Sequence, residues 1–256
     1  MSKIAEAIGA GGTPQLPAAL AQMLRAVTPY AFCVIFGYCG NARPLDLYDD
    51  FPAQKRKIFV SEYQDGPYLL DPFFLAATSP VPAGLYRLRD LAPDRFYQGE
   101  YFRNYYVQTG LAEEIGFFVD LPGQVTVVLS LMRDDKPFSA KDLRALDAIR
   151  PVIEACVRRH WRGLSEKFAT GQPKAGAVPH SGLEKSFQSF GLGLLTPRER
   201  EIVEFTLKGH SPDAIGGLLG IASGTVRIHR RNIYAKLRIS SQGELFSQFI
   251  QTLGAP

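Results

Sequence analysis

The last third of the chain is cut into short lengths by residues that start and stop helices. In "LTPRERE", residues 195–201, Thr196 is placed to cap, Pro197 fits the first helical position and Glu199 completes a capping box. Gly209 suits the exit. Ser211 and Pro212 repeat the start, and Gly220 repeats the stop. Ser223 is placed to cap a third helix over 224–238, and Ser241 with Glu244 forms a capping box for a fourth. Such spacing predicts four short helices. Ile202, Val203, Thr206 and Leu207 should face inward from the first, and Ile215, Leu218 and Leu219 from the second. Gly216 and Gly217 weaken the second helix by about 1 kcal/mol each where exposed.

Two short helices joined by a tight glycine turn make a helix-turn-helix. The third helix, "GTVRIHRRNIYAKLR", carries four arginines, a lysine and a histidine with no acid. Val226, Ile233 and Leu237 form one apolar stripe along it; Arg227, Arg231, Tyr234 and Arg238 form another face, with Ile228 and Arg230 beside it. An ordinary wet helix alternates cations with acids. Five cations without one repel each other unless a polyanion neutralises them. A helix with such a stripe fits the major groove of double-stranded DNA, where arginine can hold guanine and Ile228 can meet a thymine methyl.

Charge supports this division. The net charge is +4, and residues 169–256 hold ten Lys/Arg against six Asp/Glu, while residues 1–168 hold nineteen of each. "TGQPKAGAVPHSG", residues 170–182, is dominated by small residues, Gly and Pro and reads as a linker. The expected organisation is a sensing and dimerisation domain over 1–168, a linker over 169–190 and a DNA-binding domain over 191–256.

Before the linker, helix and strand patterns mix. Residues 15–28 have helical apolar spacing, "AFCVIFGY" reads as a buried strand, and 114–133 reads as a hairpin turning at Pro122 and Gly123. The stretches near 55–78 and 94–109 look helical and aromatic-rich; each ring of the series Phe96, Tyr97, Tyr101, Phe102, Tyr105 and Tyr106 reads as part of a helix packed on a sheet before a ligand cage, while so many tyrosines together suit a cavity that tolerates polar tips. One long helix should span about 140–168, capped by Ser139 and Asp142 and bent at Pro151. The expected class is α+β: an N-terminal α-β-α sandwich on an antiparallel sheet, linked to an all-α four-helix domain.

"LTPRERE", the glycine at 209, "GTVRIH" and "NIYAKL" followed by "ISS" together resemble the LuxR-type transcriptional regulators, over about residues 194–250. That resemblance makes the third helix the recognition helix. Arg227, Ile228 and Arg231 match its base-contacting positions; Thr225, His229, Arg230 and Lys236 match positions near the phosphate backbone. It also implies a homodimer with Leu245, Phe246 and Phe249 of the fourth helix at the dimer contact, and RNA polymerase among the partners. Ala214 stands where glutamate is usual, and Gln242 where arginine is usual.

The first segment resembles, more faintly, the GAF/PAS-like sensor domains of quorum-sensing members. The likeness centres on "IFVSEYQDGPYLLDPFF", residues 58–74. It implies a small-molecule ligand contacted by Phe59, Tyr63, Asp71, Tyr86 and Ser130, with Asp71 accepting from an amide and Tyr63 and Ser130 binding carbonyls. Phe59 replaces a tryptophan that donates a hydrogen bond in those receptors. Phenylalanine cannot donate, which weighs against an acyl-homoserine lactone.

Other classes find less support. No GxSxG, HExxH or Walker-type lysine motif is present, and the four histidines are scattered, so no catalytic or metal site and no cofactor is expected. Cys33, Cys39 and Cys156 show no CxxC spacing, and the longest apolar run is about half of what a membrane helix requires. A cytoplasmic chain without membrane contact is the expectation. The rival reading is an adaptor that uses the helix-turn-helix for protein contacts; salt dependence of DNA binding separates the two.

Overall fold

The computed structural model describes residues 2–40, 42–79, 81–104, 106–170, 187 and 189–253. Most of the expected linker, 171–186 and 188, lies outside the described residues, as does Tyr105 of the aromatic series. The helices are α1 (Lys3–Gly9), α2 (Leu16–Val27), α3 (Ala53–Arg56), α4 (Pro72–Ala77), α5 (Leu88–Leu91), α6 (Glu100–Asn104), α7 (Ala140–His160), α8 (Leu164–Thr170), α9 (Pro197–Lys208), α10 (Pro212–Leu219), α11 (Ser223–Leu237) and α12 (Gln242–Leu253). The strands are β1 (Phe32–Cys39), β2 (Leu45–Asp49), β3 (Gly84–Arg87), β4 (Glu113–Leu121) and β5 (Val125–Arg133).

By compactness the chain forms two units. One comprises 1–61, 73–91 and 110–172; the other comprises 62–72, 92–109 and 173–256. The first contains a five-stranded antiparallel sheet in the order β2-β1-β5-β4-β3. The expected hairpin is β4–β5, with Gly123 and Gln124 of its turn at positive φ. Because side chains alternate across a strand, the sheet has two distinct faces. Ile35, Ile115, Phe117, Val119, Val127, Leu129 and Leu131 belong to an apolar core shared with Leu16, Leu20, Leu24, Leu146, Ile153 and Val157 of α2 and α7. The opposite face is aromatic: Phe73 meets Phe118 edge-on at 5.3 Å, Tyr86 does the same, and Tyr38 meets Phe74 at 5.7 Å.

Helix α7 opens on the expected capping box, Ser139 with Asp142. Asp142 also accepts from Thr28 and Arg133, so one carboxylate ties the helix start to the sheet and to the end of α2. The expected single helix over 140–168 is instead two. Pro151 is accommodated inside α7, and the chain leaves the helix at Trp161 before α8 begins at Leu164. The glycine at 163, which favours a break, lay within the stretch read as continuous.

The stretches expected to be helical near 55–78 and 94–109 are fragments. The first consists of α3, a π-helical piece over Lys57–Glu62, a 3-10 turn over Pro67–Leu70 and α4. The second is α6 between 3-10 turns at Phe96–Gln98 and Tyr106–Thr109. Its aromatic rings close around Phe96, which contacts Tyr97, Tyr101, Phe102 and Tyr106, and the segment belongs to the unit of the four C-terminal helices. This differs from the helix-on-sheet expectation. Aromatic spacing alone does not say which element rings will cover.

Candidate nucleic-acid interface and effector residues

The four C-terminal helices follow the expected punctuation closely. Thr196 and Glu199 form the capping box of α9, Gly209 ends it in the left-handed conformation, Ser211 caps α10, and Gly220 ends that helix left-handed. Three details differ. Helix α11 begins at Ser223 itself, with Ala222 at the cap position and no side-chain cap. Arg238, not a glycine, ends it at φ 55°. At α12, Ser241 accepts from the Glu244 amide, but the Glu244 carboxylate reaches back to the amide and hydroxyl of Ser240, one residue earlier than in a capping box.

The faces of α11 separate as the stripe requires. Val226 and Ile233 are buried in the domain, whereas Thr225, Arg227, Ile228 and Arg231 are exposed. Ile228 is 52% exposed, a large apolar side chain left in water beside two arginines. Among the described residues the Arg227 side chain has a loose acid neighbour, Asp213 at 3.7 Å, and both are largely solvated. His229 and Arg230 are half-buried. Arg230 donates to the Tyr234 hydroxyl at 3.0 Å and to Gln242 Oε1 at 3.3 Å. Gln242 in turn donates to the Thr206 carbonyl, so the residue standing where arginine is usual links α9, α11 and α12.

Lys236 is placed differently from the exposed arginines. Its ammonium lies 2.7 and 2.9 Å from the two carboxylate oxygens of Glu199. Glu199 is itself 3% exposed and accepts from the Thr196 amide and hydroxyl. Burial pushes this carboxyl up, yet the bonds from Lys236 and Thr196 outweigh it and hold the group below its ordinary range. One carboxylate therefore caps α9 and fastens α11 to it. Sequence reading assigned Glu199 only the cap; the cue it lacked was the i-to-i+37 meeting of that acid with Lys236. Arg198 plays a similar part, donating to the Leu219 carbonyl at the end of α10.

Two expectations about helix faces are corrected. Leu218 was read as inward-facing and is 57% exposed, because α10 is only eight residues long and its last turn leaves the core. Leu245, Phe246 and Phe249 were read as a dimer contact, yet all three are buried in the single chain. Phe249 stacks on Phe187 at 4.5 Å and meets Phe190 edge-on. Those rings precede α9 in the chain.

The residues read as effector contacts distribute over both units. In the first unit, Tyr86, Gly116, Ser130 and Val34 occupy one row across β3, β4, β5 and β1, on the aromatic face. Ser130 is buried there, and Gly116 between it and Tyr86 carries no side chain. The notch is filled by the Phe73 ring, whose Cε2 lies 2.9 Å from where a Cβ on Gly116 would stand. The Tyr86 hydroxyl donates to the Pro82 carbonyl at 2.8 Å. Phe59 is buried and stacks on Phe51 at 4.5 Å. In the second unit Tyr63 donates to Asp71 Oδ2 at 2.6 Å. The sequence reading gave these two separate carbonyl and amide partners; the structure pairs them with each other.

Comparison with known proteins agrees with this geometry. Residues 193–248 match the family model described as bacterial regulatory proteins, luxR family. A protein of Aeromonas salmonicida described as an HTH-type transcriptional regulator in the exeN 3' region is 35% identical over 187 residues, covering 72% of this chain and 94% of that one. The chain belongs to the luxR family of regulators. The monoamine regulon transcriptional regulator of Klebsiella aerogenes is 26% identical over 148 residues, 58% of this chain and 54% of that protein. Among solved structures, the VqsR LBD domain from Pseudomonas aeruginosa aligns with a TM-score of 0.55 and 25% identity, covering 62% of this chain and 93% of that one. This luxR-family protein is thus a DNA-binding transcriptional regulator, in a family of regulators rather than enzymes. Its α+β class and C-terminal helix-turn-helix are as the sequence led one to expect. Among the described residues no helix is long and apolar enough to cross a membrane.

Proposed function

We propose that this luxR-family regulator reads duplex DNA with the exposed edge of α11 and is controlled by a small-molecule effector. The observation that carries the first part is the placement of Arg227, Ile228 and Arg231 in solvent on a helix whose other side is fastened to a core. A solvated cationic edge with an apolar side chain between its arginines suits base edges in a major groove. Thr225, His229 and Arg230 would contact the phosphate backbone. Lys236 contributes chiefly by holding α11 against Glu199, with its charge adding to the field. A homodimer reading two half-sites follows from the small footprint of one helix, with RNA polymerase as a further partner of the bound dimer.

The effector reading is supported by the likeness to the VqsR LBD domain and by a buried hydroxyl, Ser130, within an aromatic sheet face. Because Phe73 occupies the row beside Ser130, binding there requires that ring to turn aside. An apolar ligand with one carbonyl suits these groups, and no cofactor is involved. Replacing Ser130 by alanine should abolish the thermal shift given by such a compound while leaving the unliganded Tm within a few degrees.

The DNA reading is tested by fluorescence anisotropy on sites enriched from a random duplex pool. Arg227→Ala or Arg231→Ala should lower discrimination between selected and random duplex by about 1–3 kcal/mol with unchanged circular dichroism. Equal loss on both duplexes would show that the arginines only touch phosphate. Binding that ignores salt would favour the adaptor reading instead.

A further inference from the structure

A segment distant in sequence is docked on the turn between α9 and α10, the two helices that precede α11. The Arg95 amide donates to the Gly209 carbonyl at 3.0 Å, and the Ser211 amide donates to Asp94 Oδ1 at 3.0 Å. Gly209 stands so close that a Cβ there would lie 3.0 Å from the Phe96 Cα. Phe96 itself is buried, anchoring the segment through its ring cluster. Beyond it, the Glu100 carboxylate lies about a van der Waals contact from a Cβ built on Gly243, near the start of α12. Residues 92–109 and the four helices belong to one compact unit.

This contact places acids on the wrong side of a polyanion-binding domain. In a helix-turn-helix the first helix of the pair crosses the phosphate backbone. Here the start of that helix, α10, already carries the Asp94 carboxylate. Burial pushes Asp94 up, but its bonds from Ser211, with His210 beside it, together outweigh this and hold it below the ordinary range, so it stays charged. Phosphates approaching α10 meet a fixed negative charge and a segment of chain, while the reading edge of α11 stays open.

We propose that residues 94–100 form an autoinhibitory latch: a docked segment carrying Asp94 and Glu100 against Arg95, held by Asp94 on Ser211 and the Arg95 amide on Gly209, that must leave the α9–α10 turn before the domain can settle on DNA. The proposal rests on the DNA reading given above. Its place in the chain suits a switch. The segment lies between β3 and β4, so its ends are set by two neighbouring strands of the effector-bearing sheet. A change in that sheet would reach the latch through the backbone.

The test uses the full chain and a fluorescein-labelled 30-base-pair duplex of mixed sequence, titrated at several salt concentrations. Asp94 is exposed, so Asp94→Ala should keep the fold, checked by an unchanged circular dichroism spectrum. It should bind the duplex about fivefold more tightly than the parent, the effect of losing roughly one charged hydrogen bond from the closed state. Asp94→Asn, which keeps an acceptor but no charge, should fall between. In the parent, hydrogen exchange over 94–100 should speed up when duplex is added. Unchanged or weaker binding by Asp94→Ala, or slower exchange over 94–100 with DNA, would overturn the latch. Arg227→Ala/Arg231→Ala serves as reference. If it loses binding while Asp94→Ala equals the parent, the latch alone fails; if no variant binds in a salt-dependent way, the DNA reading fails and the latch with it.

Discussion

Glu199 shows how one residue can carry two kinds of work. Its side chain closes the capping box of α9 and binds the Lys236 ammonium from α11, while almost fully removed from water. Removing it leaves the Thr196 amide and a half-covered ammonium without their acceptor. Glu199→Ala should therefore destabilise the helical unit by about 2 kcal/mol, summing a lost cap and a lost charged hydrogen bond. Urea unfolding followed by circular dichroism checks this. DNA binding should weaken too, because α11 loses its fastening. The capping half of this role was legible from "TPRE" alone, since capping is decided within four residues. The fastening half was not, since Lys236 looks like any other cation of the basic run until α9 and α11 are folded against each other.

At the scale of an element, α10 reverses the usual expectation for glycine in a helix. Gly216 and Gly217 look equally unfavourable in sequence, and the structure separates them. A Cβ on Gly216 would lie 2.7 Å from the Ile221 carbonyl, where the chain passes back under α10 on its way into α11; a Cβ on Gly217 would meet nothing within 4 Å. Gly217→Ala should thus stabilise by about 0.5–1 kcal/mol, the ordinary helix-propensity gain. Gly216→Ala should destabilise despite the same gain, because the opposing atom is backbone and cannot step aside. Thermal unfolding of the two variants side by side distinguishes them by sign. Helix α7 gives the complementary lesson: its capping box was read correctly, but its end was not. Helix starts are written in local side-chain chemistry, whereas ends depend on what the last turn packs against.

For the whole molecule, each compact unit contains a carboxylate held below its ordinary range. Asp142 is lowered chiefly by the Ser139 amide, with further bonds from the Ser139 hydroxyl, Thr28 and Arg133 outweighing burial. Glu199 is lowered as described. In both cases the unfolded state binds protons more readily than the folded one. Stability is then fully present above the ordinary carboxylate range and is lost progressively as pH falls below it toward the lowered folded values. Urea midpoints measured from pH 7 down to pH 3 should fall for both units, and Asp142→Asn should flatten the loss in the sheet-bearing unit only. A loss carried entirely by one unit would show that the other carboxylate is not so coupled.

The sequence by itself determined the helix-turn-helix, the caps of α9 and α10, the basic edge of α11, the β4–β5 hairpin and the division of charge. All of these are short-range: caps, turns and stripes are set by residues within one or two helical turns of each other. Only the tertiary structure decided which cations are committed internally, that Leu245, Phe246 and Phe249 are core rather than interface, that Tyr63 and Asp71 pair, and that residues 92–109 join the unit of the DNA-binding helices. Apart from Tyr63 and Asp71, which are eight residues apart, those outcomes depend on partners tens to more than a hundred residues away, as Asp94 and Ser211 are. Local pattern records that a side chain is apolar, charged or able to bond, and the folded chain decides which group it meets.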